Sequence, residues 1–279
     1  MSRLLAFALV LLAAVPVEAA EKRLDRTFNV SPGGSLFVDA DGASVEVTGN
    51  DGNQVVVHMV SRDSDDNLAN TTLEAVQKAN DVSVTMRRNK RSWFQWGSWN
   101  SEQSIEVSVP RRYTVNVHTA GGAIQLRDSE GAASLRTSGG SISAENVTGN
   151  VELRTSGGSI HAETIRGDVN ANTSGGDVRL LQVDGKIQGH TSGGSLRCSL
   201  VGANRGISAT TSGGSIELTL PRATAGTVEA TTSGGQVSSE LPLSSTVRED
   251  SRLFGSLNGG GEPIYAHTSG GSISLRAAK

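Results

Sequence analysis

A Thr-Ser-Gly-Gly element recurs along this chain at a nearly constant spacing, and that spacing limits the fold more than any other feature. The heptapeptide RTSGGSI occurs at 136–142 and again at 154–160. The leading Thr (followed by Ala in the first copy) recurs after 18, 18, 18, 18, 20, 21 and 36 residues, and we interpret the last interval as two periods with one element missing. A period of this size is typical of a solenoid, in which each repeat packs only on its neighbours. The eight positions are Thr119, Thr137, Thr155, Thr173, Thr191, Thr211, Thr232 and Thr268.

Apolar and polar residues alternate on both sides of each Thr. Val151 and Leu153 precede Thr155, and Ile160 and Ala162 follow it, each two residues apart. This period of two indicates half-buried strands, so each repeat should contain two short strands separated by the Thr-Ser-Gly-Gly corner. Because parallel crossovers are overwhelmingly right-handed, the pattern predicts an all-β, single-stranded right-handed β-solenoid (a parallel β-helix) with coils of about 18 residues. A second corner is marked by Gly131, Gly149, Gly167 and Gly185.

The parity of the alternation also predicts what the corner residues do. Each Thr should point into the core, where its hydroxyl bonds to other hydroxyls or to backbone groups of the corner. We expect the two glycines to supply positive φ angles for a tight turn. The residues to which we assign this structural role are Thr137, Gly139, Gly140, Thr155, Gly157, Gly158, Thr173, Gly175, Gly176, Thr191, Gly193 and Gly194.

The first twenty residues are predicted to be a secretory signal peptide. Arg3 supplies the positive start, residues 4–17 form an apolar stretch, and Ala19 and Ala20 offer a small-residue cleavage site. The apolar stretch is shorter than a comfortable membrane span. We therefore expect a mature chain without a transmembrane segment that is periplasmic, displayed on the cell surface or secreted. Cys198 is the only cysteine, which excludes an intramolecular disulfide, and its column is otherwise apolar, so we interpret it as a small core residue.

The mature sequence is predicted to form one continuous domain in two parts. Residues 21–110 should contain solenoid strands, one short helix at 68–79 and a Trp-rich loop at 87–100. Residues 111–279 form the repeat region with its Thr-Ser-Gly-Gly corners, irregular at 242–261. There we expect a hairpin through 258–261 that returns to a final coil at 264–275. In the first part the strands are expected near 35–38, 44–47, 54–60, 82–86 and 105–109.

Three stretches resemble a family of exported bacterial proteins known as "putative adhesins", which are β-helical domains of unknown function. They are FNVSPGGSLFVDADGASVEVTGNDGNQVVVHMV at 28–60, IEVSVPRRYTVNVHTAGGAIQL at 105–126 and GSLNGGGEPIYAHTSGGSISLR at 255–276. Together with the repeats they cover nearly the whole mature chain. The resemblance implies a β-helical fold and a surface or envelope role, and it brings no motif of catalytic residues.

Two ligand-binding interpretations of the Gly-Gly corners can be weighed from the residues around them. A phosphate loop requires a Lys after its glycines and a helix beyond, whereas here Ser and a strand follow. Calcium-binding β-rolls place an Asp after the glycines as a ligand, and Asp177 is the only acid directly after a corner. We therefore expect structural corners, with no metal and no cofactor. The formal net charge of −3 gives no basic field that would attract nucleic acid.

Polysaccharide cleavage is the main enzymatic alternative, because β-helices also carry lyases and hydrolases. A glycosidase needs two carboxylates facing each other across a cleft. Glu145 and Glu163 share an outward column one coil apart, but no sequence signal marks a cleft beside them. The outward column His161, Arg179 and Arg197 could bind an acidic glycan or could be an ordinary solvated face.

The segment RRNKRSWFQWGSWN at 87–100 departs most from the repeat. It contains every Trp of the protein next to several cations, a composition suited to sugar rings, anionic lipid interfaces or a protein hot spot. The alternative is that its rings fold back and cap the open amino end of the rod. The candidate binding residues are Trp93, Phe94, Trp96, Trp99, Arg87, Arg88, Lys90 and Arg91.

The sequence thus predicts an exported, adhesin-like, non-catalytic protein whose partner is an envelope or extracellular glycan or protein. The alternatives are a polysaccharide-active β-helix enzyme, either lyase or hydrolase, and a purely structural spacer in an envelope assembly.

Overall fold

The computed structural model describes residues 21–63, 68–88 and 102–278, which form two long β-sheets around one apolar core. One sheet has 12 strands and the other has 13. With neighbouring strands about 4.8 Å apart, the larger sheet extends roughly 58 Å. The prediction of an all-β fold dominated by parallel strands is confirmed. Within the described ranges, no helix is long and apolar enough to cross a membrane.

Strands in the middle of the chain alternate between the two sheets in chain order. We call a strand of the 13-stranded sheet, together with the strand of the 12-stranded sheet that follows it after a Thr-containing corner, a rung. The middle rungs are β8–β9, β10–β11, β12–β13, β14–β15, β16–β17 and β18–β19. Their strands are β8 (Thr114–Thr119), β9 (Ile124–Ser129), β10 (Ala133–Thr137), β11 (Ile142–Thr148), β12 (Val151–Arg154), β13 (Ile160–Arg166), β14 (Val169–Asn172), β15 (Val178–Asp184), β16 (Ile187–Thr191), β17 (Leu196–Leu200), β18 (Ile207–Thr211) and β19 (Ile216–Leu220).

The pairing register brings equivalent positions of neighbouring repeats together. Ala133 pairs with Val151, and Ile142 pairs with Ile160, both in parallel. Val151 and Ile160 are buried, while the residues next to them along each strand face outward. The predicted inward and outward faces of the strands are therefore confirmed, and Cys198 is buried in the core as expected.

The second corner joins each strand of the 12-stranded sheet to the next strand of the 13-stranded sheet. Gly149 there has a φ of 145°, and a Cβ on it would lie 2.5 Å from the carbonyl oxygen of Gly131. In four of the six middle rungs, the strand before this corner holds one left-handed residue. Because Asn and Asp tolerate that conformation better than a β-branched residue does, the backbone is most strained where the residue is Thr. These residues, with φ from 54° to 57°, are Asp128, Asn146, Thr164 and Gln182.

The amino-terminal part contains seven strands, including all five that the sequence predicts. The predicted helix at 68–79 is wrong over most of its length, because only residues 68–69 are helical and a strand follows. That strand pairs with its neighbour and alternates exposed Thr72 and Glu74 with half-buried Leu73 and Ala75, so tertiary pairing overrides local helix propensity. The strands are β1 (Glu21–Asn29), β2 (Ser35–Ala40), β3 (Ser44–Asn50), β4 (Gln54–Arg62), β5 (Thr71–Lys78), β6 (Asp81–Arg88) and β7 (Glu102–Pro110).

At the amino end, spatial order differs from chain order. Strands β2 and β3 stack on β8 and β9, with Leu36 opposite Val115. Strands β6 and β7 come later in the chain but lie on the outer side of β2 and β3. Antiparallel strands then complete the sheets, with β5 on β6, β4 on β7, and β1 on β4.

The outermost strands β1 and β5 close the amino end of the core. Lys22 Nζ donates to the carbonyl oxygen of Thr71 at 2.5 Å, and Gln77 Nε2 donates to that of Asn29 at 2.8 Å. The side chains from these two strands that pack against the core are Leu24, Phe28, Leu73 and Ala75.

The carboxyl end is also permuted, which corrects two predictions. The final coil is confirmed as a rung, but it stacks between β18–β19 and β20–β21, so the 36-residue interval does not reflect a missing element. The predicted hairpin through 258–261 is wrong, because the strands on either side of it lie on opposite sides of β20. The strands are β20 (Gly226–Thr232), β21 (Val237–Ser239), β22 (Ser244–Glu249), β23 (Arg252–Leu257), β24 (Pro263–Thr268) and β25 (Ile273–Ala277).

Candidate functional site

The corner Thr side chains hold neighbouring rungs together. Thr191 is fully buried, and its Oγ1 donates to the carbonyl oxygen of Gly176 on the adjacent rung at 2.8 Å. Thr191 Oγ1 also accepts a hydrogen bond from the Gly194 N–H at 3.3 Å. All eight corner Thr side chains donate to a carbonyl of a neighbouring rung, at 2.6–3.0 Å. Their predicted inward orientation is confirmed, and their partners are backbone groups.

The corner glycines are required by close packing and not by unusual φ angles. The expectation of positive φ is wrong, because none of the Gly-Gly corners adopts it. A Cβ on Gly140 would lie only 2.1 Å from the carbonyl oxygen of Gly122 on the next rung. The first glycine of the pair is less restricted, since a Cβ on Gly139 would lie 3.6 Å from the nearest atom. The second glycine is therefore the position that the stacking of rungs demands.

In seven of the eight corners, the residue after the glycine pair belongs to a second ladder. Ser159 Oγ accepts a hydrogen bond from the Asp177 N–H at 3.2 Å, and Asp177 Oδ1 accepts one from the Ser195 N–H at 2.9 Å. Asp177, the residue at the calcium-ligand position, thus does what Ser does in other rungs. Across residues 21–63, 68–88 and 102–278 there is no group of three or more His, Cys, Asp or Glu that could hold a metal ion.

The candidate acid pair lies on the outer face of the 12-stranded sheet. Glu145 and Glu163 pair across neighbouring strands, as the sequence predicts. Each carboxylate has a cationic or polar neighbour, since Arg127 Nε lies 3.6 Å from Glu145 and His161 Nε2 lies 3.3 Å from Glu163. Both side chains are more than a third exposed. Arg127 also pairs with Glu46 at 2.9 Å, so Glu145 belongs to a surface ion network.

The predicted cation column is adjacent in space, with His161 beside Arg179 and Arg179 beside Arg197. Arg197 lies 3.1 Å from Glu217, and Arg179 lies 3.6 Å from Asp177. These arginines line a groove of about 410 Å³ on the outer face. Both arginines are more than half exposed and each is paired with a carboxylate, so this face carries mixed charge.

The Trp-rich segment connects β6 to β7, so it takes the place of a corner. The corner between β8 and β9 spans four residues and the one between β2 and β3 spans three, whereas thirteen residues, 89–101, separate β6 from β7. Six of the predicted binding residues fall in this stretch and lie outside the described residues: Lys90, Arg91, Trp93, Phe94, Trp96 and Trp99.

The other two predicted binding residues, Arg87 and Arg88, end β6 and are fixed by three aspartates. The guanidinium of Arg88 lies 2.8 Å from Asp63, whose carboxylate is only 5% exposed, and the Arg88 N–H donates to Asp41 Oδ2 at 2.8 Å. Arg87 pairs with Asp39. Sequence reasoning missed these three aspartates, because they lie 25 to 48 residues away along the chain.

Several solved bacterial structures are similar to this chain over most of its length. A "putative adhesin" from Bacteroides fragilis shares 12% identity, with 91% of this chain and 97% of that chain covered and a TM-score of 0.38. A "putative lipid binding protein" from Parabacteroides distasonis shares 13%, covering 92% and 97%, with a TM-score of 0.36. A "putative cell adhesion protein" from Clostridium sporogenes shares 12%, covering 92% and 100%, with a TM-score of 0.29.

No curated protein matches the sequence. The family model described as Toastrack DUF4097 matches residues 34–276, which is most of the chain. The chain therefore belongs to the Toastrack DUF4097 family.

Proposed function

We propose that this protein is an exported, non-catalytic, adhesin-like binding protein of the bacterial envelope. In this proposal residues 1–20 are removed on export, and the mature chain works in the periplasm, on the cell surface or outside the cell. Its repeats form a right-handed β-solenoid with coils of about 18 residues. The rod is a scaffold, and the ligand binds the Trp-rich segment near its amino end.

One observation carries this proposal: a thirteen-residue connection with all three Trp stands where three to five residues close the equivalent corner in the other rungs. The ion pairs of Arg87 with Asp39 and of Arg88 with Asp63 give this connection a fixed base on β6. We therefore assign Arg87 and Arg88 mainly to anchoring, and ligand contact to the residues beyond them.

The contacts between β1 and β5 favour a ligand-binding role over a capping role for the segment. Lys22 and Gln77 join these strands, and the apolar side chains beneath them pack against the core. Because the amino end already has this cover, the Trp rings are not needed as a cap.

The composition of the segment indicates the chemistry of the ligand. Trp and Phe offer flat apolar surfaces that stack on sugar rings or fill protein pockets, and Lys90 and Arg91 offer charge to an acidic partner. The proposed ligand is therefore a glycan or a protein of the envelope or the extracellular space.

The test compares the parent protein with a variant carrying Trp93→Ala, Trp96→Ala and Trp99→Ala. Both are applied to an array of acidic and neutral polysaccharides and to whole bacterial cells, and thermal unfolding is recorded for each. We expect at least a tenfold loss of binding with an unchanged Tm. Phe37→Ala is the matched control, because Phe37 is an exposed aromatic residue outside the segment, with 47% of its surface accessible.

Two results would contradict the proposal. If Tm falls sharply in the triple variant, the segment is part of the cap. If the parent protein degrades a polysaccharide and Glu145→Gln or Glu163→Gln abolishes that turnover, the protein is an enzyme.

A further inference from the structure

The last rung of the chain is inserted between two rungs that precede it in sequence. Ile264 of β24 pairs with Ile207 of β18 on one side and with Val228 of β20 on the other. In the second sheet, Ile273 of β25 likewise lies between Ile216 of β19 and Val237 of β21. The final rung thus lies between the rungs β18–β19 and β20–β21, in a position that we call the slot.

The corner hydrogen bonds follow this spatial order. Thr268 of the inserted rung donates to the carbonyl oxygen of Gly214 at 2.7 Å. Thr232 in turn donates to that of Gly271, which belongs to the inserted rung, at 2.6 Å. Both walls of the slot are therefore bonded to residues 263–278.

The connection into the slot is short and rich in glycine. Leu257 at the end of β23 pairs with Gly226, and Pro263 at the start of β24 pairs with Thr227, so residues 258–262 cross over β20. Three consecutive glycines in this connection have φ values of 90°, 87° and 143°, a region that L-side chains avoid. The side chains that hold it are at the surface, with Asn258 donating to the Thr224 carbonyl oxygen at 2.8 Å.

The ladder and corner contacts of the inserted rung are those of a repeat. Its corner, HTSGGS at 267–272, is identical to 190–195, and its inward residues fall in the same columns as those of the middle rungs. The same rung from a second molecule would make the same ladder, corner and core contacts, and the glycine connection is the hinge that would redirect it.

We propose that residues 263–278 form an exchangeable rung through which two copies of this chain assemble, each placing its last rung in the slot of the other. This goes beyond the proposed ligand binding at the other end of the rod and does not depend on it.

Cross-linking of full-length chains tests the exchange. Ser208 and Tyr265 pair on the outer face of neighbouring strands, so a short bis-maleimide can bridge cysteines placed there. The Ser208→Cys and Tyr265→Cys variants are unfolded, mixed and refolded together at high protein concentration. Burial raises the pKa of the Cys198 thiol to about 12, which keeps the native cysteine unreactive. We expect at least tenfold more covalent dimer in the mixture than in either variant treated alone.

A second variant forces the choice between the molecule's own slot and that of a partner. Deleting residues 259–262 leaves one residue between Leu257 and Pro263, which can then be at most about 7.6 Å apart. Two strand spacings require about 9.6 Å, so the shortened chain cannot fill its own slot. Light scattering should give twice the mass of the parent chain at low concentration. Inserting four glycines after Gly260 is the control, and this variant should have the same mass as the parent protein at the same concentration.

The proposal is overturned if the refolded mixture gives no more covalent dimer than the single variants do, while a Ser208→Cys/Tyr265→Cys chain cross-links internally. A folded deletion variant with the mass of a single chain overturns it as well.

Discussion

The middle of this molecule and its two ends are built from the same kind of strand but obey different rules. Between residues 114 and 220, chain order equals spatial order, and every strand pairs in parallel with its equivalent in the next repeat. At both ends, a rung sits out of sequence, and antiparallel strands terminate both sheets at the amino end and the 13-stranded sheet at the carboxyl end. The middle therefore depends on nearest-neighbour contacts that repeat, whereas the ends depend on contacts that occur once.

This difference separates the repeating scaffold in the middle from the features that occur only once, at the ends. In the middle, the buried Thr is required because it donates a hydrogen bond to the neighbouring rung, and the second corner glycine is required because the neighbouring backbone leaves no room for a Cβ. At the ends, the chain carries insertions, caps and a glycine-rich connection that the repeat does not need. The Trp-rich segment and the exchangeable rung both belong to the ends.

The largest expected effect comes from adding a methyl group to a corner glycine in the middle. Gly140→Ala would force its Cβ into the backbone of the next rung, and we expect a loss of at least about 3 kcal/mol in unfolding free energy. Gly42→Ala, in the corner near the amino end, should cost less than about 1 kcal/mol, because no atom lies within 4 Å of its Cβ position. Chemical denaturation of both variants measures the contrast, and equal losses would refute the packing account of the corner.

A smaller effect, of opposite sign in the two regions, is expected for Thr→Val. Thr191→Val in the middle should cost about 1–3 kcal/mol, because it leaves the Gly176 carbonyl and the Gly194 N–H without their partner. Thr224→Val near the carboxyl end should be neutral or stabilising by up to about 1 kcal/mol, since its buried hydroxyl has no hydrogen-bond partner. Thermal unfolding of the pair checks both signs. Destabilisation of both to the same extent would show that the corner hydrogen bond adds nothing.

The smallest effect concerns the left-handed column at the second corner. Thr164→Asn should stabilise the fold by about 0.5–1 kcal/mol, because Asn adopts a φ of 57° with less strain than Thr. Asn146→Thr, one rung away at a φ of 54°, is the reciprocal control and should destabilise it by a similar amount. Shifts in Tm of the same sign in the two variants would contradict this explanation.

Much of the middle could be predicted from the sequence, because the alternation of apolar and polar residues within each strand shows which side chains are buried. Alternation around Thr155 gives the strands, their inward faces and the orientation of the Thr, all of which the structure confirms. The reason for the glycines could not be found this way, since the close approach of Gly140 to Gly122 is made between neighbouring rungs and leaves no trace within a single repeat.

The two ends of the molecule were harder to predict from the sequence, because several arrangements of the strands satisfy the same alternation of apolar and polar residues. By its alternation of apolar and polar residues, β24 could stack next to β18 or on the far side of β20. The spacing of the repeats favours the far side of β20, which follows chain order, and the structure shows that β24 lies between β18 and β20. Residues 71–78 were mistaken for part of a helix because their strand is half-exposed and depends on pairing with β6. For the Trp-rich segment, composition gave the candidate residues but not the aspartates that fix Arg87 and Arg88.

The central claim, that the ends carry function while the repeats form a scaffold, is tested most directly by intrinsic fluorescence. All three Trp of the chain lie in the Trp-rich segment, so the emission of the native protein reports on that segment alone. If the segment presents its rings to a ligand, the native emission is red-shifted, close to that of the unfolded chain, and acrylamide quenches it readily. A blue-shifted native emission that acrylamide quenches poorly would place the rings inside the fold and contradict the claim.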